Sequence, residues 1–279
     1  MDIDWIRVAE PQPDQYDTEV TLQRLRQSRG LPSRQRSEDA LTIFDGAVEV
    51  RPTEGPYSKM EGLASAPLSD ESMRKIRLAE SYVRQWPAAF NQFKALIHTF
   101  YPIRDVKGNR IPPGGKGSIS HAFQSHIGTM CASIDDPVCL AQAFVHEMAH
   151  NKLRALGIMV ESTEGFITND PKELYPSPIL IGTPRPMTAV FHAEYSFIYV
   201  TQLDLILLAN DPEEELRSYV MLLLQSNVSR MEPGLKLIRE KIQVDDIGRP
   251  FVDGFIDWAQ RAIDEGRRIL DGSRVALAS

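Results

Sequence analysis

One stretch of sequence, AFVHEMAHNKLRAL from Ala143 to Leu156, constrains the fold more than any other. Asp136 is suited to cap the N-terminus of a helix, Pro137 to occupy its first position and Gly157 to end it. The residues between are predominantly apolar, so such a helix must be packed inside a folded core. The sequence therefore predicts a buried helix from Pro137 to about Leu156.

This helix carries His146, Glu147 and His150 in the spacing H-E-x-x-H. Residues i and i+4 lie about 40° apart around a helix, so the two imidazoles can reach one metal ion. Glu147 can then reach a metal-bound water or orient a ligand. Three such side chains are costly to bury without partners, so we expect a metal. The alternative is a histidine pair hydrogen bonded within the core.

Two histidines are too few for a tight metal site, and a third ligand is expected on the apolar stretch MTAVFHAEYSFIYV. His192 is the first candidate and Glu194 its competitor. These two residues differ by about 200° around a helix, so only one of them can face the metal. His121 and His126 are weaker candidates, and His98 is expected to be structural.

The rest of the sequence predicts a mainly α fold, in which a helical domain carries the metal-binding helix and a small β element packs against it. Residues 1–57 are expected to form a flexible N-terminal extension or lid, with a helix near Thr18–Ser28 and a short strand in FDGAVEVRP. Residues 58–279 are expected to form the helical metal-binding catalytic domain. Two short strands are predicted in GSISHAFQ and SHIGTMCASI, and a loop is predicted from Tyr101 to Gly117.

Further helices are predicted from periodicity and capping residues. The first follows Ser69, which is suited to act as its N-cap. The others are predicted at Pro87–His98, Met187–Ala209, from Asp211 to a break at Pro233-Gly234, Leu235–Val244 and Val252–Leu270. The long connection from Ile158 to Pro186 is expected to line the active site.

Composition narrows the classes of partner. The 279 residues carry a net charge of -7 and contain two cysteines, Cys131 and Cys139, which we expect to be buried free thiols. The basic stretch Arg24–Arg36 is most simply a solvated helix end and loop, so nucleic acid is not an expected partner. No apolar run is long enough to span a bilayer and no signal peptide is evident. We therefore expect a cytoplasmic protein that does not bind membranes.

The motif alone suggests a zinc peptidase in which Glu147 is the general base. One peptidase class continues as H-E-x-x-H-x-x-G-x-x-H, but Leu153 and Leu156 stand at the Gly and His positions here, which excludes that class. In another class Glu194 would be the third ligand, with Tyr195 available as an electrophile. A non-catalytic protein with a closed structural metal site is the remaining possibility.

Several elements together are more specific than the motif. VHEMAHNKLRAL is followed in order by LYPSP and by GTPRPMTAVFHAEYSFIYV, and SISHAF precedes it. This series resembles the HExxH-motif family of peptide-modifying proteins, whose genes lie in bacterial clusters for ribosomally made, post-translationally modified peptides. The resemblance covers roughly Trp86 to Leu208.

The resemblance implies an iron(II)- and 2-oxoglutarate-dependent oxygenase that hydroxylates a side-chain β-carbon of a precursor peptide. It implies His146, His150 and His192 as the metal ligands, with Glu147 beside the metal. Because a two-histidine, one-carboxylate set is usual for such oxygenases, Glu194 remains an alternative ligand, and zinc remains an alternative metal.

A second carboxylate on the cosubstrate needs a cation. Arg185 is the first candidate because a guanidinium can bind a carboxylate through two parallel hydrogen bonds, and Lys152 is the second. Arg154 lies closer to His150 along the helix, but we expect it to be a solvated residue at the helix end. The connection Ile158–Pro186 and the N-terminal extension are the predicted docking region for the peptide.

Overall fold

The computed structural model describes residues 3–28, 40–52, 55–107, 118–123, 126–160, 165–179 and 182–278. The chain is mostly helical with a small mixed sheet, as the sequence predicts. It forms two compact units: a motif unit, Leu22–Ala155, and a helical unit that combines Met1–Thr21 with Leu156–Ser279. The division at residue 57 and the lid role of residues 1–57 stay predictions.

The motif unit contains the sheet and the helices that cover it. Its elements are β1 (Thr42–Ile43), β2 (Val48–Val50), a 3-10 turn (Pro56–Lys59), β3 (Leu63–Ser65), α3 (Asp70–Arg84), α4 (Pro87–Leu96), β4 (Thr99–Asp105), β5 (Ser120–Ala122), β6 (Thr129–Ser133) and α5 (Pro137–Ala155). The strand order is β1-β2-β4-β6-β5, and β3 also pairs with β4. β4 is parallel to β2 and β6, whereas β5 runs antiparallel to β6. The strands predicted in FDGAVEVRP, GSISHAFQ and SHIGTMCASI are thereby confirmed.

The motif helix α5 forms as its capping residues predict. The Asp136 Oδ1 accepts hydrogen bonds from the backbone N–H groups of Val138 and Cys139, at 2.9 and 3.1 Å. α5 then packs against α3, α4, β5 and β6. Phe144 anchors it, since its ring lies within 5.2–5.4 Å of the rings of three other buried phenylalanines, Phe44, Phe93 and Phe100. The helix is therefore fixed against the sheet at its centre.

The prediction of a loop from Tyr101 is wrong, because β4 continues through Pro102 to Asp105. Pro102 pairs with Ala132 of β6, and its carbonyl accepts a hydrogen bond from the Ala66 N–H at 3.0 Å. In a strand, the N–H and C=O of one residue point to the same side. Because the Pro102 carbonyl faces the end of β3, the N–H that proline lacks would also face β3 and not β6. Residues 108–117 of the predicted loop lie outside the described residues.

The helical unit contains α1 (Trp5–Val8), β7 (Leu174–Tyr175), β8 (Arg185–Pro186), α6 (Met187–Ala209), α7 (Glu214–Lys241) and α8 (Gly248–Ala278). α2 (Tyr16–Ser28) spans the boundary between the units, and its predicted stop at Gly30 and Pro32 lies outside the described residues, as does most of the basic stretch. The core of the helical unit is aromatic. The buried ring of Tyr195 lies 5.3 Å from that of Phe255, and its hydroxyl donates a 2.7 Å hydrogen bond to the carbonyl of Ala9.

The predicted break at Pro233-Gly234 is wrong, because α7 runs through both residues. Pro233 is exposed, so the helix interior loses one backbone hydrogen bond on its solvent side. Gly234 permits a close approach: a Cβ at this position would lie 2.1 Å from the Glu194 Oε2. The Pro233-Gly234 pair therefore lies where α7 packs closely on α6, and it does not end the helix. α8 is also longer than predicted, because it begins at Gly248.

Two further expectations concern the chain as a whole. Cys131 and Cys139 are buried free cysteines, as predicted. None of the helices in the described ranges combines the length and the apolar character that crossing a bilayer requires.

Candidate metal centre

His146 and His150 converge on the surface of α5. Their Nε2 atoms lie 3.2 Å apart, with ring planes 83° from parallel. Two nitrogens bound to one metal at about 2.1 Å, with an angle of about 90–110° between them, are separated by roughly 3.0–3.4 Å. The pair thus has the spacing of two ligands of one ion. A hydrogen bond between the two imidazoles would have a similar length.

The two histidines are also the accessible part of an otherwise buried helix. Gln142, His146 and His150 are partly exposed, at a four-residue spacing that places them on one face. The His146 side chain is 19% exposed, and the neighbouring apolar residues are buried. Burial lowers the pKa of His146 to about 4, which keeps its imidazole neutral and able to ligate a metal at neutral pH.

Glu147 points from α5 towards strand β5. Its Oε1 accepts a 2.6 Å hydrogen bond from the Ser120 hydroxyl and lies 3.9 Å from the His146 Nε2. Burial raises the pKa of Glu147 to about 7, although Ser120, the charge of Arg154 and the Ala122 backbone all favour the ionised form. Glu147 therefore links the motif helix to the sheet and carries a carboxyl group that titrates near neutrality.

A second polar contact holds the same helix at the β5–β6 turn. Asn151 accepts a 2.7 Å hydrogen bond from the Gly128 N–H and donates one of 2.9 Å to the carbonyl of Glu147. Gly128 has a φ of +87°, and a Cβ there would lie 2.4 Å from the His98 ring. His98 itself is within hydrogen-bond distance of the Thr99 hydroxyl and the Ile127 carbonyl, which fits its expected structural role.

The two candidates for the third ligand lie on α6, in the helical unit. The His192 Nε2 lies 2.9 Å from the carbonyl of Ile158 and must donate to it, so the lone pair of a neutral ring is on Nδ1. Histidine ligands commonly have one ring nitrogen held in this way. Glu194 is fully buried, and neither carboxyl oxygen has a hydrogen-bond partner among the described residues. Burial raises its pKa well above the ordinary value.

The three cationic candidates differ in their surroundings. Arg185 is half-buried on β8, in the helical unit, and Lys152 is fully buried on α5. Arg154 is only 8% exposed, so the expectation that it is solvated is wrong. Its position in the last turn of α5 suggests exposure, but this end of the helix is covered.

The weaker candidates lie away from any metal-binding arrangement. His121 is an exposed residue of β5 whose ring contacts Phe123, and His126 is an exposed turn residue. The hydroxyl of Tyr195 is bonded to Ala9, which removes it as an electrophile. Within the described ranges, no group of three or more His, Cys, Asp or Glu side chains is placed to hold a metal ion. His192 and Glu194 as third ligands therefore stay predictions.

Comparison with known proteins identifies no relative of this chain. Neither the protein-family models nor the curated proteins include a match to the chain.

Sequence reasoning did not identify Ser120 and Asn151 as supports of the motif. Asn151 follows Glu147 by four residues, so helical spacing could have indicated its hydrogen bond to the Glu147 carbonyl. The contact of Ser120 with Glu147 depends on how α5 packs on β5, and no local signal predicts it.

Proposed function

We propose that this protein is an iron(II)- and 2-oxoglutarate-dependent oxygenase that hydroxylates a side-chain β-carbon of a ribosomally made precursor peptide. The 3.2 Å separation of the His146 and His150 Nε2 atoms, on the accessible face of α5, carries the metal-dependent part of the proposal. The reaction class rests on the sequence resemblance.

The protein's own residues take distinct roles in this proposal. His146 and His150 bind the metal together with His192, or with Glu194 in its place. Arg185 and Lys152 are the candidates from the sequence for binding the cosubstrate. With iron and 2-oxoglutarate bound, one atom of dioxygen enters a C–H bond of the peptide, while the other enters the succinate formed with loss of CO2. Glu147, held by Ser120, orients the helix that carries both histidine ligands.

A zinc peptidase is the second candidate, and one observation favours it. Burial raises the pKa of Glu147 to about 7, which suits a general base at neutral pH. Two observations weigh against it: the Glu147 Oε1 is already bonded to Ser120, and the Tyr195 hydroxyl is bonded to Ala9. The oxygenase is therefore the preferred proposal.

Anaerobic addition of iron(II) and then 2-oxoglutarate to metal-free protein tests the proposal without a peptide substrate. A keto acid chelated to iron gives a weak charge-transfer absorption band in the visible spectrum. We expect this band in the wild type and in the His126→Ala control, and its loss in His146→Ala and His150→Ala. Absence of the band from wild-type protein that binds zinc tightly would reject the oxygenase.

The Glu147→Gln variant separates the two candidate functions. An oxygenase should keep the absorption band, because Glu147 is not a ligand. Its affinity for iron should fall by about 10-fold, because Glu147 no longer orients the helix that carries the ligands. A peptidase should lose all cleavage, because glutamine cannot accept a proton from water. Mass spectrometry of peptides incubated with zinc-loaded protein provides the second readout.

Paired variants of α6 identify the third ligand. If His192 is the ligand, His192→Ala should abolish the band while Glu194→Gln retains it. The reverse result would assign the position to Glu194. Retention of the band in both variants would place the third ligand elsewhere.

A further inference from the structure

Arg154 stands out among the arginines of the motif unit. Arg51, Arg77 and Arg84 have partly exposed side chains and form ion pairs with acidic side chains. Arg154 instead lies more than nine-tenths buried, and its Nε and Nη1 atoms have no hydrogen-bond partner among the described residues. A buried guanidinium without acceptors is costly, so a folded chain is expected to supply them or to leave them for a ligand.

Helical spacing places Arg154 on the same face of α5 as Glu147 and His150. Arg154 follows His150 by four residues and Glu147 by seven, which are offsets of about 40° and 20° around an ideal helix. Its charge acts on Glu147 and on His121. Glu147 does not satisfy it, because the Glu147 Oε1 is bonded to Ser120 while the Arg154 Nε and Nη1 remain without partners. The unused donors therefore lie on the same side of α5 as the motif.

We propose that Arg154 binds a carboxylate of a small organic acid next to the histidine pair. A guanidinium has two forked edges, and Nε and Nη1 belong to different edges, so each edge has a donor without a partner among the described residues that can bind a carboxylate oxygen. The assignment rests on the proposed function: the ligand is the distal carboxylate of 2-oxoglutarate. Arg154 thus takes the role for which Arg185, on β8, is the first candidate from the sequence.

Two keto acids that differ only at the distal end test this role. Metal-free protein is loaded anaerobically with iron(II) and titrated with 2-oxoglutarate or with 2-oxopentanoate, which lacks the second carboxylate. The charge-transfer band reports binding without turnover. We expect the wild type to bind 2-oxoglutarate about 10- to 100-fold more tightly, the range typical of a charge-assisted hydrogen-bond pair.

Substitution of Arg154 should remove this preference specifically. In Arg154→Gln the ratio of the two affinities should fall to about 1, with the affinity for 2-oxopentanoate unchanged. Arg154→Lys keeps the charge without the fork and should give an intermediate ratio, and it serves as the test if the glutamine variant does not fold. Arg74→Gln, at an exposed position of α3, is the matched control and should behave as the wild type. An unchanged ratio in folded Arg154 variants would overturn the assignment.

A metal-free experiment separates failure of this inference from failure of the proposed function. If wild-type protein gives no band with either keto acid, the oxygenase proposal is rejected. Thermal melts of the metal-free protein with glutarate then test whether Arg154 binds a carboxylate. Stabilisation of the wild type by glutarate, absent in the Arg154 variants, would support a small-acid site. Equal melting shifts in the wild type and the Arg154 variants, or no shift of the wild type with glutarate, would reject it.

Discussion

Glu194 is the clearest case of a single residue whose environment conflicts with its charge. It is fully buried on α6, both carboxyl oxygens lack hydrogen-bond partners among the described residues, and α7 approaches it closely at Gly234. An ionised carboxylate at such a position would lose its hydration without compensation. Burial accordingly raises its pKa well above the usual range, and the neutral acid is the form that the fold accommodates.

The Glu194→Gln substitution should therefore stabilise the metal-free protein increasingly as the pH rises. The unfolded chain releases the Glu194 proton above pH 4.5, whereas the folded state keeps it. Wild-type stability therefore falls relative to the variant by up to about 1.4 kcal/mol per pH unit. Urea unfolding of both proteins between pH 5 and 8 measures the difference. Glu215→Gln, at an exposed position of α7, is the control and should show no such trend. A pH-independent difference would mean that Glu194 is ionised in the folded protein.

At the scale of elements, the turn between β5 and β6 determines where the motif helix sits. Gly128 has a left-handed backbone, binds Asn151 of α5 through its N–H, and lies against the ring of His98. A side chain would fail there for two reasons, the strained φ and the lack of space. The position of the two histidines thus depends on a glycine that has no chemistry of its own.

Gly128→Ala should reduce the free energy of unfolding by about 2–4 kcal/mol, because backbone strain adds to overlap with His98. The same variant should weaken metal binding if the turn positions α5. Chemical denaturation and metal titration measure the two effects. Gly272→Ala makes the same change on α8, where a Cβ meets nothing within 4 Å, and should instead stabilise by up to about 1 kcal/mol.

Helix α7 provides a second test at this scale. Pro233 lies in its exposed interior and removes one helical hydrogen bond, so Pro233→Ala should raise the free energy of unfolding by about 1–3 kcal/mol. The helical signal in circular dichroism should not decrease. A loss of stability would contradict a continuous α7 and would restore the helix break predicted from the sequence.

Local signals predicted most elements of this fold, and the errors have identifiable physical causes. Capping predicted α5 correctly, because the Asp136 side chain bonds the first backbone N–H groups without help from the rest of the chain. Pro102 and Pro233 were misleading, since each occupies a position where the missing N–H is not needed for packing. Whether a proline ends an element depends on its neighbours in space, which sequence periodicity does not report.

The same distinction applies to the candidate site. The convergence of His146 and His150 follows from helical spacing and was predictable. The burial of Arg154 was not, because it depends on the elements that cover the end of α5. The sequence places both predicted third ligands on one helix, but only the fold shows that His192 bonds to the Ile158 carbonyl while the Glu194 oxygens have no partner among the described residues. The features that could not be predicted from the sequence are thus those that depend on tertiary packing.

For the whole molecule, a ligand that binds only the folded protein must raise its stability. Zinc(II), or iron(II) without oxygen, at 100 times its dissociation constant should add about 2.7 kcal/mol, which is roughly 5–10 °C in Tm for a chain of this size. The gain should be lost in His150→Ala and retained in His126→Ala. Thermal melts with and without metal provide the measurement, and an equal gain in the two variants would reject the histidine pair as ligands.

The helical unit is assembled from both ends of the sequence. The backbone of Ile6 lies against Gly254 of α8, and Arg261 pairs with Glu10 at a separation of 251 residues. Ribosomes add about 5–20 residues per second, so α1 leaves the exit tunnel roughly 10–50 s before α8 is made. During that interval the motif unit can fold, while the apolar side of α1 remains available to chaperones. Newly synthesised protein should therefore depend on such assistance more than refolded full-length protein does.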